Sequence, residues 1–146
     1  MFELSATQKQ LQANTCEFAK KEIAPRAAEV DRTEKYPWKN VELLTNQGFM
    51  GMTIPKEYGG KGMTYLDTIL VIEEIAKACG VTARIVVEAN MGAIGAVMKY
   101  GTEVQKKLAA EHVLSGDKPA ICITEPEAGS AATEICLLYT SDAADE

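Results

Sequence analysis

The sequence predicts a mainly α-helical bundle that gives way, near residue 117, to the first strand of a second, β-type domain. Three observations predict it. Apolar residues recur at helical spacing through most of the first 114 positions. Two capping boxes, Ser5-x-x-Gln8 and Thr102-x-x-Gln105, mark helix starts. After Lys118-Pro119 the pattern switches to a compact apolar run, Ala120-Ile121-Cys122-Ile123-Thr124.

A first helix is expected to start at Ser5, with Leu11, Thr15, Phe18, Ala19 and Ile23 along one stripe. Pro25 lacks an N–H and crowds the preceding turn, so it interrupts or kinks this helix, which resumes through Val30. Tyr36-Pro37-Trp38 opens a second helix whose Val41, Leu43 and Leu44 face inward until Gly48 ends it. The apolar stretch Phe49–Pro55 then leads into a glycine-rich turn, Glu57-Tyr58-Gly59-Gly60-Lys61-Gly62. A third helix spans about Thr64 to Cys79, with Leu66, Ile69, Leu70, Ile72 and Ile75 as a wide apolar face and Gly80 as its stop. Val81 to Tyr100 reads as one helix containing Gly92 and Gly95, whose cost of up to about 1 kcal/mol each points to a close neighbour or ligand. The last helix follows Thr102, with Leu108 and Val113 on its core side and Ser115-Gly116-Asp117 closing it.

Composition narrows the function classes. At 47% hydrophobic and 25% charged, the 146 residues can bury a core. A net charge of −6 with no basic cluster argues against a nucleic-acid surface. No stretch has the roughly eighteen uninterrupted apolar residues of a membrane span, and Met1–Ser5 shows no basic-then-apolar secretory signal. Cys16, Cys79, Cys122 and Cys136 form neither a CxxC nor a Cys/His pattern, so a cytoplasmic chain with reduced, packing thiols and no metal site is expected. His112, the single histidine, is expected on the surface.

The last eleven residues, 136–146, read Cys-Leu-Leu-Tyr-Thr-Ser-Asp-Ala-Ala-Asp-Glu and resemble the in-frame translation of a transposon-end sequencing adapter. A natural acidic tail is the alternative. With that stretch set aside, three of the 21 acidic residues drop out, and the remaining 18 face 15 bases. The expected organisation is a helical domain at 1–117, the start of a truncated β-domain at 118–135, and an adapter-derived tail at 136–146.

The most informative stretch is Ile121-Cys122-Ile123-Thr124-Glu125-Pro126-Glu127-Ala128-Gly129-Ser130. An apolar strand stops at a threonine, turns over Glu-Pro and ends in small residues. Gly129 beside Ser130 lets backbone approach a flat or phosphorylated ligand and leaves N–H groups to meet its oxygens. Glu125, before a proline, is expected to fix the turn rather than to act as an acid. The ten residues resemble the flavin-binding signature of the acyl-CoA dehydrogenase family. Pro55-Lys56-Glu57-Tyr58-Gly59-Gly60 and Tyr100-Gly101-Thr102-Glu103-Val104-Gln105-Lys106 are similar to two further family segments. The resemblance covers residues 1 to 134. It implies an all-α amino-terminal domain followed by the first strand of the middle β-domain, FAD as cofactor, and an acyl-CoA substrate. It implies a homotetrameric parent with an electron-transfer flavoprotein as electron acceptor, and a catalytic glutamate base supplied from later in the chain. On this resemblance Ile121, Cys122, Ile123, Thr124, Gly129 and Ser130 bind the cofactor, Thr124 at the isoalloxazine edge, and Ser130 also lies near the CoA arm.

Two departures carry further information. The usual Gly-Ser-Asp is here Gly129-Ser130-Ala131-Ala132. Arg84 lies four residues before Glu88, in the stretch that lines the far end of the family's acyl pocket. An unpaired guanidinium would cost several kcal/mol in an apolar pocket, whereas a planar Arg fork suits a carboxylate or sulfinate on the substrate. Spacing alone equally allows a surface pair between Arg84 and Glu88. Both departures, together with Cys-Gly-x-x-x-Arg at 79–84 and Gly-Ala-Ile-Gly-Ala at 92–96, resemble the 3-sulfinopropanoyl-CoA desulfinase branch of the family. Glutaryl-CoA dehydrogenases also carry an Arg in this region. The expected function is thus α,β-oxidation of an acyl-CoA thioester by a flavoenzyme, with desulfination as the alternative, and Arg84, Glu88 and Ser130 on the substrate. A non-enzymatic helical binding module is the reading from another class, and the Thr-Glu-Pro run speaks against it.

Overall fold

The computed structural model describes residues 3–126 and 128–135. Helix α1 (Ala6–Phe18) begins as expected: the Ser5 hydroxyl accepts the Gln8 N–H, and the Gln8 side chain accepts the Ser5 N–H. The Gln8 amide also donates to Asp67 Oδ1 at 2.9 Å. Asp67 in turn closes a capping box with Thr64 at the start of α4 (Tyr65–Ala78). Two helix starts are thereby tied side by side, each meeting the orphan N–H groups of its first turn.

Pro25 interrupts the α-helical ladder as expected, and the helix resumes beyond it. A π-helical turn, Ala19–Ile23, widens the backbone so that the Ala24 N–H reaches the Ala19 carbonyl. The wider turn makes room for the proline ring and needs no hydrogen bond from it. Helix α2 (Ala24–Thr33) then runs past Val30 and ends at Glu34 in the left-handed region, φ 54°. Helix α3 (Trp38–Gln47) buries Asn40, Val41 and Leu44, while Leu43 is only half-buried, and Gly48 caps it at φ 71°.

The stretch after α3 folds back on itself. Phe49, Met50, Met52 and Ile54 are buried, and the Ile54 carbonyl accepts the Gly62 N–H at 2.9 Å. Gly60 packs so close that a Cβ there would lie 2.1 Å from the Ile54 oxygen. Asn90 clamps this loop to α5 (Gly80–Asn90): its Nδ2 donates to the Phe49 and Val86 carbonyls, and its Oδ1 accepts the Thr53 N–H.

Several sequence expectations need correction. Gly80 does not stop α4; Cys79 makes the break in extended backbone (φ −155°, ψ 109°), and Gly80 opens α5. Residues 81–100 are not one helix. Gly92, at φ 64° and ψ −116°, separates α5 from α6 (Ala93–Tyr100). Both glycines nevertheless have the expected close neighbour: a Cβ on Gly92 would meet Ile121 Cδ1 at 2.9 Å, and one on Gly95 the Tyr65 hydroxyl at 3.2 Å. Leu66 and Ile69 on α4 and Leu108 on α7 (Glu103–Leu114) are about half exposed, because those faces have nothing packed on them among the described residues. Val113 and Ala110 carry the core side of α7 instead. Residues 80–100 have the length and mean hydropathy (1.3) of a membrane-crossing segment. They nevertheless form two helices, and Thr82, Ala83, Ile85, Val86 and Ala89 are spent inside the bundle.

One core joins α1 to α7, with Leu44, Met52, Ile54, Val71, Ile75, Val86 and Ile94 fully sheltered. Beyond Gly116, residues 117–124 have no regular structure, so the expected strand at 120–124 is not formed. A strand closes its hydrogen bonds only on a neighbouring strand, and none lies beside it among the described residues. What forms is a tight turn over Pro126 in which Glu125 and Ala128 exchange backbone hydrogen bonds, then a 3₁₀ turn at Ala132–Glu134. The tail at 136–146, with Cys136, lies outside the described residues.

Candidate functional site

Arg84 and Glu88 lie one turn apart on α5 and so share a face. The Arg84 Nε donates to Glu88 Oε1 at 2.9 Å. The other carboxylate oxygen, Oε2, accepts from the Nζ of Lys118, which arrives from the segment after α7. The Lys118 backbone N–H is fixed by Asp117 Oδ1 at 2.8 Å. Glu88 and Lys118 are sheltered, with side chains 27% and 25% exposed, whereas Arg84 is 70% exposed. The Lys118 hydrogen bond holds the Glu88 carboxyl below the usual carboxylate range, against the opposing effect of burial. Tyr36, stacked edge-on against Trp38 at 4.7 Å, lies within the field of this cluster; burial raises its phenol, and Lys118 partly offsets that.

These three charged side chains border a cavity of about 180 Å³, completed by Met91, Ala93 and Ile121. The structure therefore brings together three of the sequence-derived site residues, Arg84, Glu88 and Ile121. Cys122, Ile123, Thr124, Gly129 and Ser130 do not line it; they are exposed on the segment beyond. A Cβ on Gly129 would meet nothing within 4 Å, so backbone there is open to a ligand. Thr124 and Ser130, the latter between Gly129 and Ala131, present exposed hydroxyls, and donors of this kind suit one edge of a flavin. Lys118 is the site residue that spacing does not reveal. It lies 30 positions from Glu88, and no local pattern links the two.

A larger apolar groove of about 650 Å³ runs between α6 and α7, bordered by Val97, Tyr100, Leu108 and His112. His112 is on the surface as expected, its Nδ1 3.9 Å from Asp117 Oδ2.

Residues 5–117 match the family model described as acyl-CoA dehydrogenase, N-terminal domain. The chain belongs to the acyl-CoA dehydrogenase family. Among curated proteins it is 64% identical over 135 residues to a 3-sulfinopropanoyl-CoA desulfinase of Cupriavidus necator and 62% identical to that of Variovorax paradoxus. Each match covers 92% of this chain and 34% of the relative, so the chain spans about a third of the proteins it resembles. The fold superposes on butyryl-CoA dehydrogenase from Megasphaera elsdenii with a TM-score of 0.78 at 29% identity, over 91% of this chain and 36% of that one. The match to the family model covers the helical bundle and Arg84–Glu88, and it stops just before Lys118.

Proposed function

We propose that this chain is the amino-terminal part of a cytoplasmic flavoenzyme that releases sulfite from 3-sulfinopropanoyl-CoA. The net reaction consumes one water: the β-carbon–sulfur bond breaks, a proton replaces the sulfinate on carbon, and propanoyl-CoA leaves with hydrogensulfite, without net oxidation. The observation that carries this reading is Arg84 at the mouth of a small, cation-bearing cavity, in a chain whose near relatives at 62–64% identity bear the desulfinase name. An exposed i,i+4 pair such as Arg84–Glu88 contributes only about 0.3–0.5 kcal/mol. A substrate sulfinate enclosed by the remainder of the enzyme can therefore displace Glu88 as the partner of Arg84.

Ile121, Cys122, Ile123, Thr124, Gly129 and Ser130 would hold FAD, which supplies the family's electron-accepting chemistry when bound. Ser130 would also face the CoA arm. This chain gives only one wall of such a site, so alone it is expected to be helical and colourless. The middle-domain strand at 120–124 would form once the adjoining strands are present.

The second reading, oxidation of an acyl-CoA at the α,β bond by a homotetramer with an electron-transfer flavoprotein as partner, is favoured by the superposition on butyryl-CoA dehydrogenase. One experiment separates the two. In the full-length enzyme, Arg84→Ala should lower kcat/KM for sulfite release from 3-sulfinopropanoyl-CoA roughly 30- to 1000-fold, the loss of about 2–4 kcal/mol. Butanoyl-CoA oxidation should hold or improve. Equal losses on both substrates would make Arg84 structural, and a wild type that oxidises butanoyl-CoA and releases no sulfite would favour the second reading.

A further inference from the structure

We propose that Lys118 is a second cation for the anionic end of the acyl group, acting beside Arg84; this rests on the acidic-substrate reading above. Glu88 already displays the geometry required. Its two carboxylate oxygens are divided between the two cations, Oε1 to Arg84 and Oε2 to Lys118. A terminal carboxylate or sulfinate has the same two-oxygen fork and can meet the same two donors from the cavity side. Three charged groups line the cavity, two positive and one negative, so it faces an incoming ligand with one uncompensated positive charge. The rest of its lining is apolar or small, and its volume of about 180 Å³ suits a small terminal group with the adjoining methylene.

The other charged or titratable groups nearby do not cancel that charge. Asp117 spends one carboxylate oxygen on the Lys118 backbone N–H, and its side chain borders the α6–α7 groove rather than this cavity. Tyr36 is neutral below alkaline pH. Lys118 is also the more sheltered of the two cations, at 25% against 70% exposure for Arg84, so less water competes for its charge. Arg84 thus supplies a planar fork at the mouth, and Lys118 a compact charge at the wall formed by the entry to the second domain.

The test compares two thioesters of matched length in the full-length FAD-loaded enzyme. Succinyl-CoA ends in a carboxylate and cannot release sulfite; butanoyl-CoA ends in a methyl group. Their dissociation constants are measured by titration calorimetry for wild type, Lys118→Met, Lys118→Gln, Lys118→Arg and Arg84→Met, each checked for bound flavin and thermal unfolding. The expected result is a roughly 5- to 30-fold weakening of succinyl-CoA binding in Lys118→Met and Lys118→Gln, with butanoyl-CoA within about twofold and Lys118→Arg restoring most of the loss. Equal weakening for both thioesters, or none for either, overturns the role of Lys118. If Arg84→Met alone abolishes the preference for succinyl-CoA, the acidic-substrate reading stands and Lys118 is only the tether of Glu88. A wild type that binds both thioesters equally overturns both.

Discussion

Residues 5–114 and residues 118–135 obey opposite rules. In the bundle, helices close their own backbone hydrogen bonds and bury Ile23, Leu44, Met52, Ile54 and Ile75 completely. Along the second segment, Ile121 and Ile123 are 57% exposed and Thr124, Gly129 and Ser130 face outward. The difference follows from where each element finds its partners. A helix is complete along one piece of chain, whereas a strand is half of a ladder and an apolar strand face is half of a core. The stretch that resembles a flavin signature thus lies where the backbone still lacks partners, and the matched family domain lies where the backbone already has them.

That contrast breaks hardest inside the bundle. Gly60→Ala is expected to cost about 3 kcal/mol, because the new Cβ would sit 2.1 Å from the Ile54 oxygen. The Gly62 N–H holds that carbonyl in place, so neither backbone segment can yield cheaply. A urea midpoint equal to wild type would show that the loop at 49–63 is not as rigidly seated as its hydrogen bonds indicate. Asn90→Ala comes next, at about 2–3 kcal/mol, since it strands the buried Phe49 carbonyl and the Thr53 N–H together. Circular dichroism on denaturant titration measures both. Losses under about 0.5 kcal/mol would mean that water replaces the clamp.

The same contrast explains which features are legible in the sequence. Capping boxes are local, so Ser5–Gln8 and Thr102–Gln105 read directly from four residues and are both formed. Arg84–Glu88 is legible for the same reason, as an i,i+4 pair. Apolar periodicity identifies a stripe but not its cover, and so it assigns Leu66, Ile69 and Leu108 to a core that does not reach them. Gly92 reads as a costly helix interior because its positive φ leaves no mark in a one-dimensional pattern. Asn40 and Asn90 are fully buried yet look like surface residues in sequence; Asn40 donates to the Thr82 hydroxyl at 2.8 Å, a partner 42 positions away. Lys118 escapes for the same reason: its role is set by tertiary distance alone.

Between the two regions lies Glu88, the hinge of the comparison, and its effect is expected to be intermediate and dependent on pH. Its folded-state carboxyl lies below the ordinary value because Lys118 donates to it. A lowered folded value contributes stability that is present above the unfolded carboxylate value, about 4.3, and is lost as pH falls through the folded one. Glu88→Gln is therefore expected to cost about 0.5–1.5 kcal/mol at pH 7, and the gap to wild type should close as pH drops below about 4. Thermal unfolding of both chains from pH 7 to pH 3 checks this. A gap that stays constant with pH would place the effect of the substitution in packing rather than in charge.

The smallest effect is expected where the functional signature is strongest. Thr124 and Ser130 are exposed, and neither side chain is fixed by any hydrogen bond seen in the described residues, so removing either hydroxyl takes nothing from the bundle. Thr124→Val and Ser130→Ala in this chain should shift stability by less than about 0.5 kcal/mol, the range of surface substitutions. In the full-length enzyme the same two changes should raise the fraction of flavin lost on gel filtration, because a hydroxyl that donates to the ligand has no second task to mask its loss. The pair of measurements sharpens the comparison in both directions. A stability loss above 1 kcal/mol in the short chain would give the segment a structural role that its exposure denies. Unchanged flavin retention in the full-length enzyme would instead separate the Thr-Glu-Pro turn from the cofactor and leave Arg84, Glu88 and Lys118 as the functional part of this chain.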